Sequence, residues 1–200
     1  LKFGALATPF AYDWDKDGDE DILSGNTAGQ IGVITNMDGK GTRWSRPELL
    51  EVDGEPFRIM AGSNGSIQGP AEAKWGYTTF SVADWDGDGR DDFIVNSIKA
   101  ELMLLKNTGS GFTRQPLPFW TQKKPPGFYW RQTSAENLQT QWRTTPFAAD
   151  FDQDGQLDLV ILDREGYLTC QSRSSTESRI FIDEDNKLIR LNARTAGSSG

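Results

Sequence analysis

The sequence predicts an all-β fold made of one structural unit written three times along 200 residues. Three observations carry that expectation. An acidic nonapeptide recurs with the same spacing of Asp and Gly, a short run of Ile, Val, Leu and Phe follows each copy, and no ten-residue stretch sustains the 3.6-residue period of a helix. The copies are Asp13-Trp-Asp-Lys-Asp-Gly-Asp-Glu-Asp, Asp84-Trp-Asp-Gly-Asp-Gly-Arg-Asp-Asp and Asp150-Phe-Asp-Gln-Asp-Gly-Gln-Leu-Asp, starting 71 and 66 residues apart.

Each unit reads in the same order. A Thr-containing extended segment comes first: Ala7-Thr-Pro-Phe-Ala-Tyr, Tyr77-Thr-Thr-Phe-Ser-Val-Ala and Thr144-Thr-Pro-Phe-Ala-Ala. The acidic loop then turns the chain, and the apolar run behind it, too short for a helix, reads as a buried strand. A turn leads into a partly alternating segment, 30–35, 101–106 and 167–171, and Asn36-Met-Asp-Gly and Asn107-Thr-Gly-Ser-Gly supply further turns. About four antiparallel strands in about 70 residues fit the blade of a β-propeller. The chain is thus a single propeller segment, 1–200, with repeats at approximately 1–70, 71–140 and 141–200. Closed propellers have about 4 to 8 blades, so three repeats imply a larger ring of about seven, completed by the remaining blades of a longer chain.

Composition narrows the function. Hydrophobic residues are 36% and charged residues 25%, the range of soluble globular proteins. The longest apolar runs, such as 159–162, cover four residues, far short of the roughly 20 that span a membrane. No charged-then-apolar leader opens the chain and Leu1 is not an initiator, so the expectation is a processed chain or an internal part of a longer one. The single cysteine, Cys170, has no partner within the chain and reads as a small, partly buried hydrophobe. The absence of histidine excludes Ser-His, Cys-His and His-metal chemistry from this stretch, leaving Asp, Glu, Lys, Arg and Tyr.

The net charge of −8 is local. Residues 13–21, 84–92 and 150–158 together carry −13, and everything else is +5. Calcium takes 6 to 8 hard oxygen ligands, which carboxylates alternating along a tight turn supply together with one main-chain carbonyl. Loop positions 1, 3, 5 and 9 give Asp13, Asp15, Asp17 and Asp21; Asp84, Asp86, Asp88 and Asp92; and Asp150, Asp152, Asp154 and Asp158. Position 7 offers the carbonyl of Asp19, Arg90 or Gln156, and the glycine at position 6 permits the sharp turn. An EF-hand would need Glu at position 12, where Ser24, Val95 and Ile161 stand. The bland alternative, acidic surface turns without metal, leaves four carboxylates repelling one another within one turn. The reading is three structural calcium ions, one stapling each loop; magnesium is less suited to such an all-protein cage.

The D-x-D-x-D-G-x-x-D-apolar unit resembles the FG-GAP or VCBS repeat, the calcium-loop blade of integrin α-subunit propellers and of secreted bacterial propellers that include polysaccharide lyases. The resemblance covers all three units, although the Phe-Gly and Gly-Ala-Pro elements of the name are weak or absent. It implies an extracellular, periplasmic or cell-surface location.

Ligand candidates come from what the repeats do not share. Trp14, Trp85 and Phe151 occupy loop position 2, and Trp75 and Trp142 both precede an extended segment, so all five are expected to pack. Residues 113–145 form a long connection carrying Arg114, Lys123, Lys124, Arg131 and Arg143 against Glu136, beside Trp120, Tyr129 and Trp130. Aromatic faces beside cations suit a sugar ring bearing a carboxylate or sulfate, and the same residues in a solvated loop would merely cover a blade edge. The net acidity of the whole chain and an extracellular calcium supply argue against nucleic acid. Two functions follow. A polysaccharide lyase would neutralise a uronate with Arg131, Arg143 or Lys123 and abstract its proton with Tyr129, binding through Trp120, Tyr129, Trp130 and Arg131. A non-catalytic adhesion or lectin-like module would bind the acidic carbohydrate without cleaving it.

Overall fold

The computed structural model describes residues 2–63, 70–117, 140, 142–151 and 153–162, and the backbone of 168–171, 179–182 and 188–191. The described residues are all-β, apart from one 3-10 turn at Pro70–Lys74. In the first sheet, β1 (Thr8–Tyr12), β2 (Asp21–Gly25), β3 (Ile31–Ile34) and β4 (Glu48–Leu49) lie in sequence order, each antiparallel to the next. Two short strands, β5 (Glu51–Val52) and β6 (Glu55–Pro56), then leave that sheet. The second sheet is a meander of β7 (Thr79–Ala83), β8 (Asp92–Asn96), β9 (Met103–Asn107) and β10 (Phe112–Pro116). The third holds β11 (Phe147–Ala149), β12 (Asp158–Leu162) and β13 (Leu168–Gln171), and β14 (Arg179–Ile182) pairs with β15 (Leu188–Leu191).

The structure departs from the expected units at their outer edges. β5 joins β10 in parallel through Val52 and Phe112, so the second sheet has six strands rather than four. Phe112–Pro116 is a strand paired residue for residue with β9, so the connection expected from 113 begins inside a sheet. Its polar sequence and largely exposed side chains hide the strand, because it is held by its ladder to β9 and its bridge to β5.

Strand periodicity determines how the sheets stack. In β8, Phe93 and Val95 point to one side and share a core with Leu23 and Ile31 of the first sheet, while Ile94 points to the other and packs with Leu159 and Ile161 of the third. That explains why every residue of β8 is buried. The carbonyl-to-hydroxyl contacts between neighbouring sheets repeat as well. Thr8 Oγ1 donates to the Thr78 carbonyl at 3.2 Å, and Thr79 Oγ1, the corresponding hydroxyl, donates to the Thr144 carbonyl at 2.6 Å. Gly25 lies so close to the same Thr78 carbonyl that a Cβ there would sit 2.0 Å from the oxygen. Leu6, Tyr77 and Arg143, each seven residues before the first Asp of its loop, all adopt left-handed backbone conformations.

Candidate metal centres and a cation-aromatic surface

Each acidic loop joins the first two strands of its sheet and is tied by its own carboxylates. The amide of the position-6 glycine donates to the position-1 Asp in all three: Gly18 to Asp13 at 3.2 Å, Gly89 to Asp84 at 2.9 Å and Gly155 to Asp150 at 3.0 Å. Position 7 donates likewise to position 5, Asp19 to Asp17, Arg90 to Asp88 and Gln156 to Asp154. These glycines have φ of 96°, 84° and 89°, which a Cβ would oppose. Position 4 is left-handed too, at Lys16, Gly87 and Gln153. No residue type marks that position, so sequence reasoning missed it.

The ninth carboxylate has a separate task. Asp21, Asp92 and Asp158 are buried, and each accepts the amide of the position-2 aromatic: Trp14 at 3.0 Å, Trp85 at 3.2 Å and Phe151 at 2.9 Å. The other oxygen of Asp21 accepts the Asn36 amide at 2.8 Å, and that of Asp92 the Asn107 amide at 2.7 Å. This carboxylate locks the loop onto the third strand of its sheet. Burial, more than the nearby Asp88 and Asp84, raises the Asp92 pKa, against the lowering pull of those amides.

The first three carboxylates converge. Asp13, Asp15 and Asp17 bring one oxygen each to within 4.8 Å of one another, and so do Asp84, Asp86 and Asp88. Calcium-oxygen bonds of about 2.3–2.6 Å put ligands on opposite sides of the ion about 5 Å apart, so both triads match that cation. Asp13 Oδ1, Asp19 Oδ1 and Asp86 Oδ1 are buried without a hydrogen-bond partner. Asp15 and Asp19 are held above the usual carboxylate range, first by removal from water and then by Asp17 and Asp21. Orphaned hard oxygens and unrelieved repulsion fit a divalent cation. Asp150 and Asp154 accept the Gly155 and Gln156 amides as their counterparts do in the first two copies, while Asp152 lies outside the described residues.

Of the ligand candidates, Trp120, Lys123, Tyr129, Trp130 and Arg131 lie outside the described residues. Arg143 is described, and its Nη2 donates to buried Glu72 at 2.7 Å. Its guanidinium lies 3.7 Å from the centre of the Tyr77 ring and 4.6 Å from that of Trp142. Trp75 meets Tyr77 edge-on at 5.9 Å. Trp75 and Trp142 are 39% and 36% exposed, contrary to the expectation that they pack, because each flanks the sheets instead of entering a core. Both precede the first strand of a sheet, so this group lies at the ends of β7 and β11 away from the acidic loops.

The position-2 aromatics divide. Trp14 rests on Phe93 and Phe112 of the second sheet, at 5.5 and 6.1 Å between ring centres, and Trp85 is buried with Leu159 and Ile161 of the third. Phe151 is 44% exposed.

The family model described as the FG-GAP-like repeat matches residues 84–161, from the first carboxylate of the middle loop to β12. No curated protein and no solved structure matches the chain. The matched span starts at the second acidic loop and runs through the third. Residues 84–161 thus carry an FG-GAP-type repeat.

Proposed function

We propose that the chain is a calcium-stapled segment of a larger β-propeller, of about seven blades, that works outside the cell and binds an acidic carbohydrate. Calcium would be held by Asp13, Asp15 and Asp17, by Asp84, Asp86 and Asp88, and by the corresponding residues of the third loop. Bound there, it cancels the repulsion of the triad and fixes the turn between the first two strands. The larger ring draws support from the outer face of the third sheet. Phe147 and Phe151, whose counterparts Phe10 and Trp14 pack on the second sheet, are 60% and 44% exposed, and Thr145, the counterpart of Thr8 and Thr79, is exposed as well.

The observation that carries the carbohydrate reading is the cation-aromatic group at Tyr77, Trp142 and Arg143. The exposed Trp142 indole, beside the half-buried Tyr77 ring, offers aromatic surface to a sugar, and a guanidinium fixed by Glu72 still has other donors for a carboxylate or sulfate. Trp120, Tyr129, Trp130 and Arg131 are the further carbohydrate contacts of this proposal, on the same chemistry of rings beside cations. Affinity electrophoresis through gels containing polygalacturonate or a sulfated glycan tests it. Retardation of the wild type, relieved in Trp142→Ala and Arg143→Gln, supports the reading, and equal migration with and without polysaccharide contradicts it. Release of unsaturated uronate would assign a lyase, and retardation without release a lectin-like or adhesion module.

A further inference from the structure

The rest of the chain does not bring the same charge to each loop. Ile22 pairs with Ile34 and Phe93 with Leu105, so the residues that follow, Thr35 and Lys106, hold one position in the first two repeats, and in sequence Ser172 stands as far behind the first Asp of its own loop. Two carry hydroxyls and one an ammonium. The Lys106 side chain reaches from β9 to the middle loop, where Nζ contacts the Asp86 carboxylate and lies 3.1 Å from Asp88 Oδ2. Those are two of the three converging carboxylates. Arg90 also contacts Asp88 and is anchored through Nε on the Asn107 carbonyl at 3.1 Å. The first loop differs. Its own Lys16 turns away to Asp91 at 2.8 Å and to the Tyr12 hydroxyl at 3.2 Å, and among the described residues no Lys or Arg pairs with Asp13, Asp15 or Asp17.

We infer that Lys106 is a built-in competitor of calcium at the middle loop. This rests on the reading of the loops as calcium sites and goes further by ranking them. A lysine ammonium is a compact charge on a flexible stem, able to neutralise two carboxylates when metal is scarce and to withdraw into water when metal arrives. An ammonium held on Asp86 and Asp88 cancels part of the charge that attracts a divalent ion and repels the ion itself, so calcium binding works against Lys106 and favours its withdrawal. The middle loop consequently fills last, and its metal-free form keeps a counter-ion that the first loop lacks.

The test is calorimetric titration of calcium chloride into the metal-free chain, for the wild type, Lys106→Thr and Lys106→Met. Threonine reproduces the first repeat, and methionine keeps the apolar stem should the shorter side chain unsettle the sheet. Both variants are expected to tighten the weakest calcium-binding step on the order of tenfold, as loss of two partly exposed ion pairs implies. Both should also melt at a lower temperature than wild type in chelator. The effect on the weakest step should vanish in an Asp86→Ala background. Calcium binding with an unchanged weakest step in both variants overturns the role of Lys106. Failure of every form to bind calcium overturns the metal reading itself, along with this inference.

Discussion

Asp92 and Asp86 lie six residues apart in one loop, yet the structure assigns them different work. Asp92 is fully buried and accepts the amides of Trp85 and Asn107; truncating it leaves two inward-facing N–H groups without acceptors. Each such orphan costs about 1–3 kcal/mol. Asp92→Ala is therefore expected to lower the unfolding free energy by about 2–6 kcal/mol in chelator and in calcium alike. Asp86→Ala should weaken the fold in calcium and do far less in chelator, where its one role is to meet Lys106. Urea unfolding of both variants in the two buffers makes the comparison, and an Asp92→Ala effect confined to the calcium buffer would contradict it. The alternation of Asp along the loop was legible in the sequence, because that spacing has few other uses. The division between position 9 and the others was not, since which oxygens meet main-chain amides depends on where the third strand returns.

Strands behind each acidic loop were predictable for a plain reason. Asp-Phe-Ile-Val-Asn and Asp-Leu-Val-Ile-Leu are β-branched, short and bounded by turns, and they became β8 and β12. β5, β6 and β10 were not foreseen, because two-residue strands and a polar strand closing at Pro116 owe their form to a neighbour's edge rather than to their own residues. The same limit explains Trp75 and Trp142. A shared repeat position reports spacing, and burial depends on what another part of the chain lays over it. The elements also order the aromatics by energy. Trp85, 8% exposed between the second and third sheets, should cost about 3–5 kcal/mol when cut to Ala, the usual loss for a buried aromatic. Phe151→Ala, at the corresponding position without a sheet over it, should cost less than about 1 kcal/mol. Equal losses in denaturant unfolding would mean that the outer face of the third sheet is already covered.

Across the molecule, three sheets follow one another through repeated devices: a hydroxyl to the next sheet's carbonyl, a loop aromatic onto the next sheet's core, and an acidic loop at the same end of each. Threefold writing in the sequence made this period visible before any strand was placed. The central claim is that the acidic loops are metal staples on which the stack depends. Thermal unfolding of the whole chain in chelator and in saturating calcium tests it most directly. With calcium at about a hundredfold over its dissociation constant, each filled loop adds about 2.7 kcal/mol, which raises the melting temperature by about 5–10 °C per loop. A rise of that size, reversed by chelator, is the predicted result; identical melting temperatures in the two buffers would contradict the account.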